Sequence, residues 1–235
     1  MSAAVTIRPA DAEYPEGLRL LKKPPALHAV GNLDLLKRPA IGICGSRAAS
    51  PEVLQRAYEF GQEAARGGLA LISGYAKGVD RQAHAGAMEA GGATIAVMAE
   101  GIAGFRVTRE LVPLIDLEAN FLAVSMFEPE ARWQSWRAME RNKVIVGLSL
   151  GLLVVEARER GGTIDAALEC ARQGKPLWAV AYTEERPGRE GNRMLLRQEK
   201  ALPLAKMGDV KRALEAAAAG IPQRAGQLTM SGASD

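Results

Sequence analysis

From Ala40 onward the chain alternates short apolar runs with longer stretches in which apolar residues recur every three or four positions. Ala40 to Cys44 is the first strand-like run. Ser50-Pro51-Glu52 then writes a helix start, an N-cap followed by proline at the first helical position. Val53, Leu54, Ala57, Tyr58, Ala64 and Ala65 keep helical spacing until Gly67-Gly68 ends it. The cycle repeats with a strand at Leu69 to Ile72, a helix from about Asp80 to Glu89, and a strand at Thr94 to Met98. Beyond these the pattern predicts a helix over 108–116, a strand at Phe121 to Val124, and one long helix from about Arg132 to Leu148. A strand at Leu152 to Val155, a helix at Ile164 to Arg172, a strand at Leu177 to Ala181 and short helices near 192–199 and 209–219 complete the series. Strands alternating with helices imply an α/β fold, a doubly wound, mostly parallel sheet with helices on both faces.

The flanks read differently. Pro15, Pro24 and Pro25 break residues 1–38 into irregular pieces, expected to pack as an arm on a domain spanning 39–222. Residues 223–235 are small and polar and read as a flexible tail.

Composition narrows the chemistry more than the fold. The 235 residues are 48% hydrophobic, which suits one sizeable core. Lys plus Arg number 30 against 27 Asp plus Glu, so the net charge of +3 neither demands nor excludes nucleic acid, and any electrostatic footprint must come from local clustering. Neither Cys44 nor Cys170 belongs to a CxxC pair, and His28 and His84 are the two histidines. A disulfide framework, a metal site and a bound cofactor are therefore not expected, and a cytoplasmic protein is. No run approaches the ~18 apolar residues of a membrane span, and the N-terminus lacks an export signal.

The candidate chemistry sits in the strand-to-helix loops. Gly45-Ser46-Arg47 and Ser73-Gly74-Tyr75-Ala76-Lys77-Gly78 each follow an apolar run and precede a helix. At such a turn free backbone N–H groups and the positive helix end converge, and phosphate is the usual occupant. The plain alternative is that these glycines only make tight β-to-α connections. Gly161-Gly162-Thr163 is a third such loop, in which Thr163 either contacts phosphate or caps the helix. Gly191-Asn192-Arg193 is a fourth. Arg137 and Arg141 share a helix face, with Asn142 and Lys143 next to them; a solvated face is the alternative. Tyr75 is the ring best placed to stack on a base, with Trp133 and Trp136 as weaker candidates.

Enzymatic readings fail on spacing. The turn Gly42-Ile43-Cys44-Gly45 departs from G-x-G-x-x-G, and no acid ends the second strand, so a nicotinamide site is not expected. No Walker A loop occurs. His84 and Asp80 share a helix face, but a surface histidine bonded to a nearby carboxylate explains them better than acid/base catalysis, and no nucleophile stands in a recognisable setting.

The order of Tyr14-Pro15, Pro24 to Asn32, Ile43 to Arg47, Ser73 to Asp80 with Ala83-His84, Arg141 to Ile145, Gly161-Gly162-Thr163 and Gly191-Asn192-Arg193 resembles the DNA-processing protein A (DprA/Smf) family, over about residues 14 to 205. The resemblance implies an extended Rossmann-like fold that binds single-stranded DNA and, in natural transformation, helps hand it to the RecA recombinase. It also implies self-association as a homodimer. The second loop departs from the family's S-G-[LM]-A-R-G-[IV]-D at Tyr75 and Lys77, and Phe127 to Met139 looks like a shorter, divergent branch. The length leaves no room for the helical and winged-helix domains that many members carry, so RecA loading is the weaker expectation. Two alternatives share the fold: a nucleotide-sensing module, and a nucleoside-monophosphate phosphoribohydrolase, whose P-G-G-x-G-T-x-x-E loop is echoed by Gly161-Gly162-Thr163. Ala166 stands where that loop needs its carboxylate, leaving only Glu169 as a substitute.

Overall fold

The computed structural model describes residues 4–198 and 200–220. In chain order the elements are β1 (Val5–Ile7), α1 (Glu16–Arg19), β2 (Leu27–Gly31), β3 (Ala40–Cys44), α2 (Pro51–Arg66), β4 (Ala70–Ser73), α3 (Val79–Glu89), β5 (Thr94–Val97), β6 (Phe121–Ser125), α4 (Ser135–Glu140), α5 (Asn142–Leu148), β7 (Leu152–Val154), α6 (Gly162–Arg172), β8 (Leu177–Val180), α7 (Glu190–Arg197), β9 (Leu202–Leu204) and α8 (Met207–Ala218). Nine strands form one sheet in the order β1-β2-β6-β5-β4-β3-β7-β8-β9. From β6 to β9 every neighbouring pair is parallel, whereas β1 and β2 join antiparallel at the β6 edge. This is the doubly wound, mostly parallel α/β sheet that the alternation predicts.

Alternate residues of each strand feed opposite faces, as the two-residue strand period requires. Ile41 and Ile43 pack with Val53, Phe60, Val79 and Leu214 on the face covered by α2, α3 and α8. Ala40 and Cys44 point the other way, into a core shared with Val144, Ile145, Ala167 and Leu195 from α5, α6 and α7. Ser50 caps α2, its side chain accepting from the Val53 amide, and Pro51 is the first helical residue.

Four expectations need correction. The N-terminal segment does pack on the domain, but not as an irregular arm. Pro15 precedes α1, Pro24 and Pro25 stand just before β2, and Leu27 and Ala29 are fully buried in the sheet. Residues 108–116 form consecutive turns rather than a helix, with Leu111 and Val112 amides both donating to the Thr108 carbonyl. Pro113 lacks the N–H that a helix would use there. The long helix of 132–148 begins only at Ser135 and is interrupted at Arg141. Its first half, α4, buries no residue, while α5 buries five: Asn142, Val144, Ile145, Val146 and Gly147. Finally, Leu202–Leu204 add a strand that the sequence pattern does not predict, with Pro203 at its centre. The structure tolerates it because β9 is the edge strand. Glu199, in the stretch read as helix near 192–199, and the tail 223–235 lie outside the described residues.

Candidate functional site

The strand order places a switch point between β3 and β7: the chain steps from β3 to β4 and outward on one side, then returns to β7 on the other. In doubly wound sheets the crevice beyond the carboxyl ends of the strands at that point is where ligands sit. A cleft of about 410 Å³ lies there, walled by the loops after β3, β4 and β7 and by α4 and α5. Its lining holds four arginines, Arg47, Arg141, Arg158 and Arg160, and two carboxylates, Asp80 and Glu156. The side chain of Glu156 is also held 3.6 Å from Arg189, which offsets its charge.

The first and third glycine loops both contribute to the cleft walls. Gly45, Ser46 and Arg47 line one side, and Gly161, Gly162 and Thr163 line the other. Gly161 is the N-cap of α6 and no side chain caps that helix, so its first-turn amides and positive end open onto the cleft. Thr163 lies inside the helix and does not cap it. Asn142 anchors this wall, its Nδ2 donating to the Gly162 carbonyl and to Asp165 Oδ2, each at 3.1 Å.

The second loop contributes less than its sequence suggests. Gly74 and Ala76 line the cleft, but Ser73 is fully buried, and neither Lys77 nor Gly78 is part of the wall. The first amide of α3 is already used, since Val79 N donates to the Ser46 carbonyl at 3.2 Å. Gly78 has φ of +91°, and a β-carbon there would strike that same carbonyl, so its role is to let the two loops touch. Tyr75 is corrected outright as a stacking ring. It is buried with φ of +57°, its ring packs edge-on to His84 and Phe121, and its hydroxyl accepts from the Thr108 amide.

Arg141 lines the cleft from a buried position rather than from a solvated helix face. It is only 6% exposed at the break between α4 and α5, donating from Nη1 to the carbonyls of Gly74 and Val97, with no partner for Nε among the described residues. Asp80 is also buried, and the Ala76 amide donates to its Oδ2. Burial pushes the Asp80 carboxyl up, while the charge of Arg141 pulls it back. Burial lowers Arg141 in turn, opposed by Asp80. The two form the charged floor of the cleft. The sequence spacing assigns Asp80 to His84, four residues on, whereas the structure buries it in the cleft lining.

His84 is likewise not a surface residue beside a carboxylate. It is fully buried, neither ring nitrogen has a partner among the described residues, and desolvation pushes its pKa down to about 3. Lys143 faces Glu140 at 3.0 Å outside the cleft. Asn192 is a structural clamp: Oδ1 accepts from the Ala157 amide, and Nδ2 donates to the carbonyls of Val155 and Val180. Arg193 pairs with Glu185. The fourth loop is therefore not part of the site. Trp133, the weaker stacking candidate, does line the cleft, its exposed ring with the Arg47 guanidinium 5.9 Å from its centroid, and the structure adds Arg158 and Arg160 to the lining.

Comparison with known proteins agrees with this architecture. The family model for DNA recombination-mediator protein A matches residues 5–215. The DNA processing protein DprA of Bacillus subtilis is 35% identical over 178 residues, 74% of this chain, and the chain spans only 60% of that relative's length. The crystal structure of DNA processing protein A from Streptococcus pneumoniae superposes with a TM-score of 0.79 at 29% identity, covering 88% of this chain and 72% of that one. The Helicobacter pylori DNA processing protein A, studied for a unique single-stranded DNA binding mode, shares the fold with a TM-score of 0.78 at 23% identity over 91% of this chain and 96% of that one. No helix among the described residues is long and apolar enough to cross a membrane.

Proposed function

The chain belongs to the DNA recombination-mediator protein A family, and from that premise we propose that it binds single-stranded DNA without catalysis, gripping phosphates in the switch-point cleft. The observation that carries this reading is the convergence of the uncapped α6 amides with Arg47 and Arg141 on one crevice. Backbone amides and guanidinium groups recognise phosphate irrespective of base, so the binding has little sequence preference. Handover to RecA and self-association rest on the family resemblance alone.

The cleft argues against the hydrolase. Ala166 lines it where that loop motif places a carboxylate, and Glu169 is tied to Arg172 and Gln173 on α6, away from the wall. A nucleotide-sensing role has one point in its favour, since about 410 Å³ lies in the range of small-ligand sites. Labelled oligothymidylate challenged with duplex DNA, RNA and mononucleotides separates the two. Single strands should compete best, and the log affinity should fall against log salt with a slope of about −2 to −4, as for three to five phosphates at roughly −0.7 each. Tight mononucleotide binding with a flat salt response would establish the sensor instead.

A further inference from the structure

Helix α4 buries none of its residues, yet it carries two of the largest exposed apolar side chains, Trp136 (47% exposed) and Met139 (45%), and Trp133 (50%) stands just before it. Exposed apolar side chains grouped in one place, unlike scattered ones, mark an interaction surface. Each indole has a guanidinium near its ring: Arg47 lies 5.9 Å from the centroid of Trp133, and Arg137 lies 5.1 Å from that of Trp136. Phe127 packs edge-on against Trp136 at 6.0 Å and fixes that ring. Trp133, Ser135, Ala138 and Met139 belong to the cleft wall, and Trp136, outside that wall, stands on the same short helix as the last three.

We propose that this row is a base-stacking ledge: bases of a single strand lie on Trp133 and Trp136 while the phosphates between them are held by Arg47 and the α6 amides. The inference rests on the single-strand reading above and names where its bases go. The occupant follows from position and charge. Phosphates in the cleft bring their bases within reach of the adjoining wall, and a guanidinium beside each ring suits an anionic strand with flat apolar bases. Stacking of this kind tolerates any base, because every base has a π-face.

Fluorescence offers a direct test, because the third tryptophan, Trp178, is only 2% exposed in the core. Emission that an external quencher reaches therefore reports Trp133 and Trp136. Oligothymidylate should quench this emission and shield it from acrylamide, whereas an abasic deoxyribose-phosphate oligomer of equal length should bind without doing so. Trp133→Ala and Trp136→Ala should each weaken oligothymidylate binding about five- to a hundredfold and leave abasic binding within about twofold. Trp133→Phe and Trp136→Phe should recover most of the loss. Arg47→Ala should weaken both oligomers. Unchanged emission from the wild-type protein on saturation with oligothymidylate would overturn the ledge whatever the variants do, as would equal losses for the two oligomers. If the wild type binds neither oligomer, the phosphate reading fails and the ledge with it. A dimer that Trp136→Ala dissociates, with oligothymidylate affinity intact, would give the face to a second copy of the chain instead.

Discussion

The Arg141 guanidinium occupies the space that a side chain at Gly74 would need. A β-carbon on Gly74 would fall on the guanidinium that donates to that residue's own carbonyl. The glycine of the second loop is thus present to admit a buried cation, which couples the loop after β4 to the break between α4 and α5.

Replacing this glycine tests the coupling. Gly74→Ala should displace Arg141 and strand its charge among buried groups, costing about 2–4 kcal/mol. For a chain of this size that lowers the melting temperature by about 5–15 °C. Differential scanning calorimetry gives the answer; an unchanged melting point would mean that the guanidinium moves aside without penalty.

Arg47 and Lys77 separate cleft from surface. A charge-assisted phosphate contact is worth about 1.5–3 kcal/mol, so Arg47→Ala should weaken oligothymidylate binding about ten- to a hundredfold. Lys77 is exposed and outside the wall, and Lys77→Ala should cost less than about threefold. Titration by fluorescence anisotropy decides between them, and comparable losses would move the strand's path toward Lys77.

Asn192 should affect folding and not affinity. Its amide closes three buried hydrogen bonds between the ends of β7 and β8 and the chain just beyond β7. Asn192→Ala should cost about 2–4 kcal/mol in urea denaturation, while the folded fraction binds oligothymidylate as the wild type does. A selective loss of affinity at unchanged stability would return Asn192 to the site.

His84 gives the protein an acid limit. The fold holds its pKa near 3, well below the ordinary value of 6.5, because the buried ring is accepted only when neutral. Above pH 6.5 neither state takes up this proton and the contribution to stability is complete. As pH falls from 6.5 toward 3 the unfolded chain binds a proton that the folded chain refuses, and stability drops by about 1.4 kcal/mol per pH unit, roughly 3 kcal/mol by pH 4. Urea midpoints measured against pH should show this slope, and His84→Phe, which suits the surrounding aromatic rings, should flatten it.

The parallel strands β3, β4, β5, β7 and β8 are legible in the sequence because both sheet faces are covered, so each reads as an unbroken apolar run between a helix and a glycine turn. The edges are not. Leu27 and Ala29 alternate with half-buried His28 and Val30, and two prolines stand just upstream, so β2 looks like loop. In the site, residue type indicated phosphate chemistry but not direction. Ser46, Arg47 and the Gly161 loop face the cleft, whereas Tyr75 and Asn192 are equally polar on paper and turn inward to satisfy buried backbone groups. One sequence does not say which way a polar side chain points when an inward partner is distant in the chain. Asn192 is 35 residues from the amide it serves, and Arg141 is 67 from Gly74.

The pairing of β2 with β6 also imposes an order on the birth of the molecule. Val30 lies opposite Ala123, and Asn32 donates to the Ala119 carbonyl 87 residues away. While the ribosome is still making the intervening chain, the apolar side of β2 has no sheet to join, and β1 has only β2. The inner strands β3, β4 and β5 come off the ribosome as neighbours and can assemble first, with the earlier-made β1 and β2 docking afterwards. A nascent chain stalled before residue 119 should therefore leave residues 4–31 open to protease, and release of a few dozen more residues should close them.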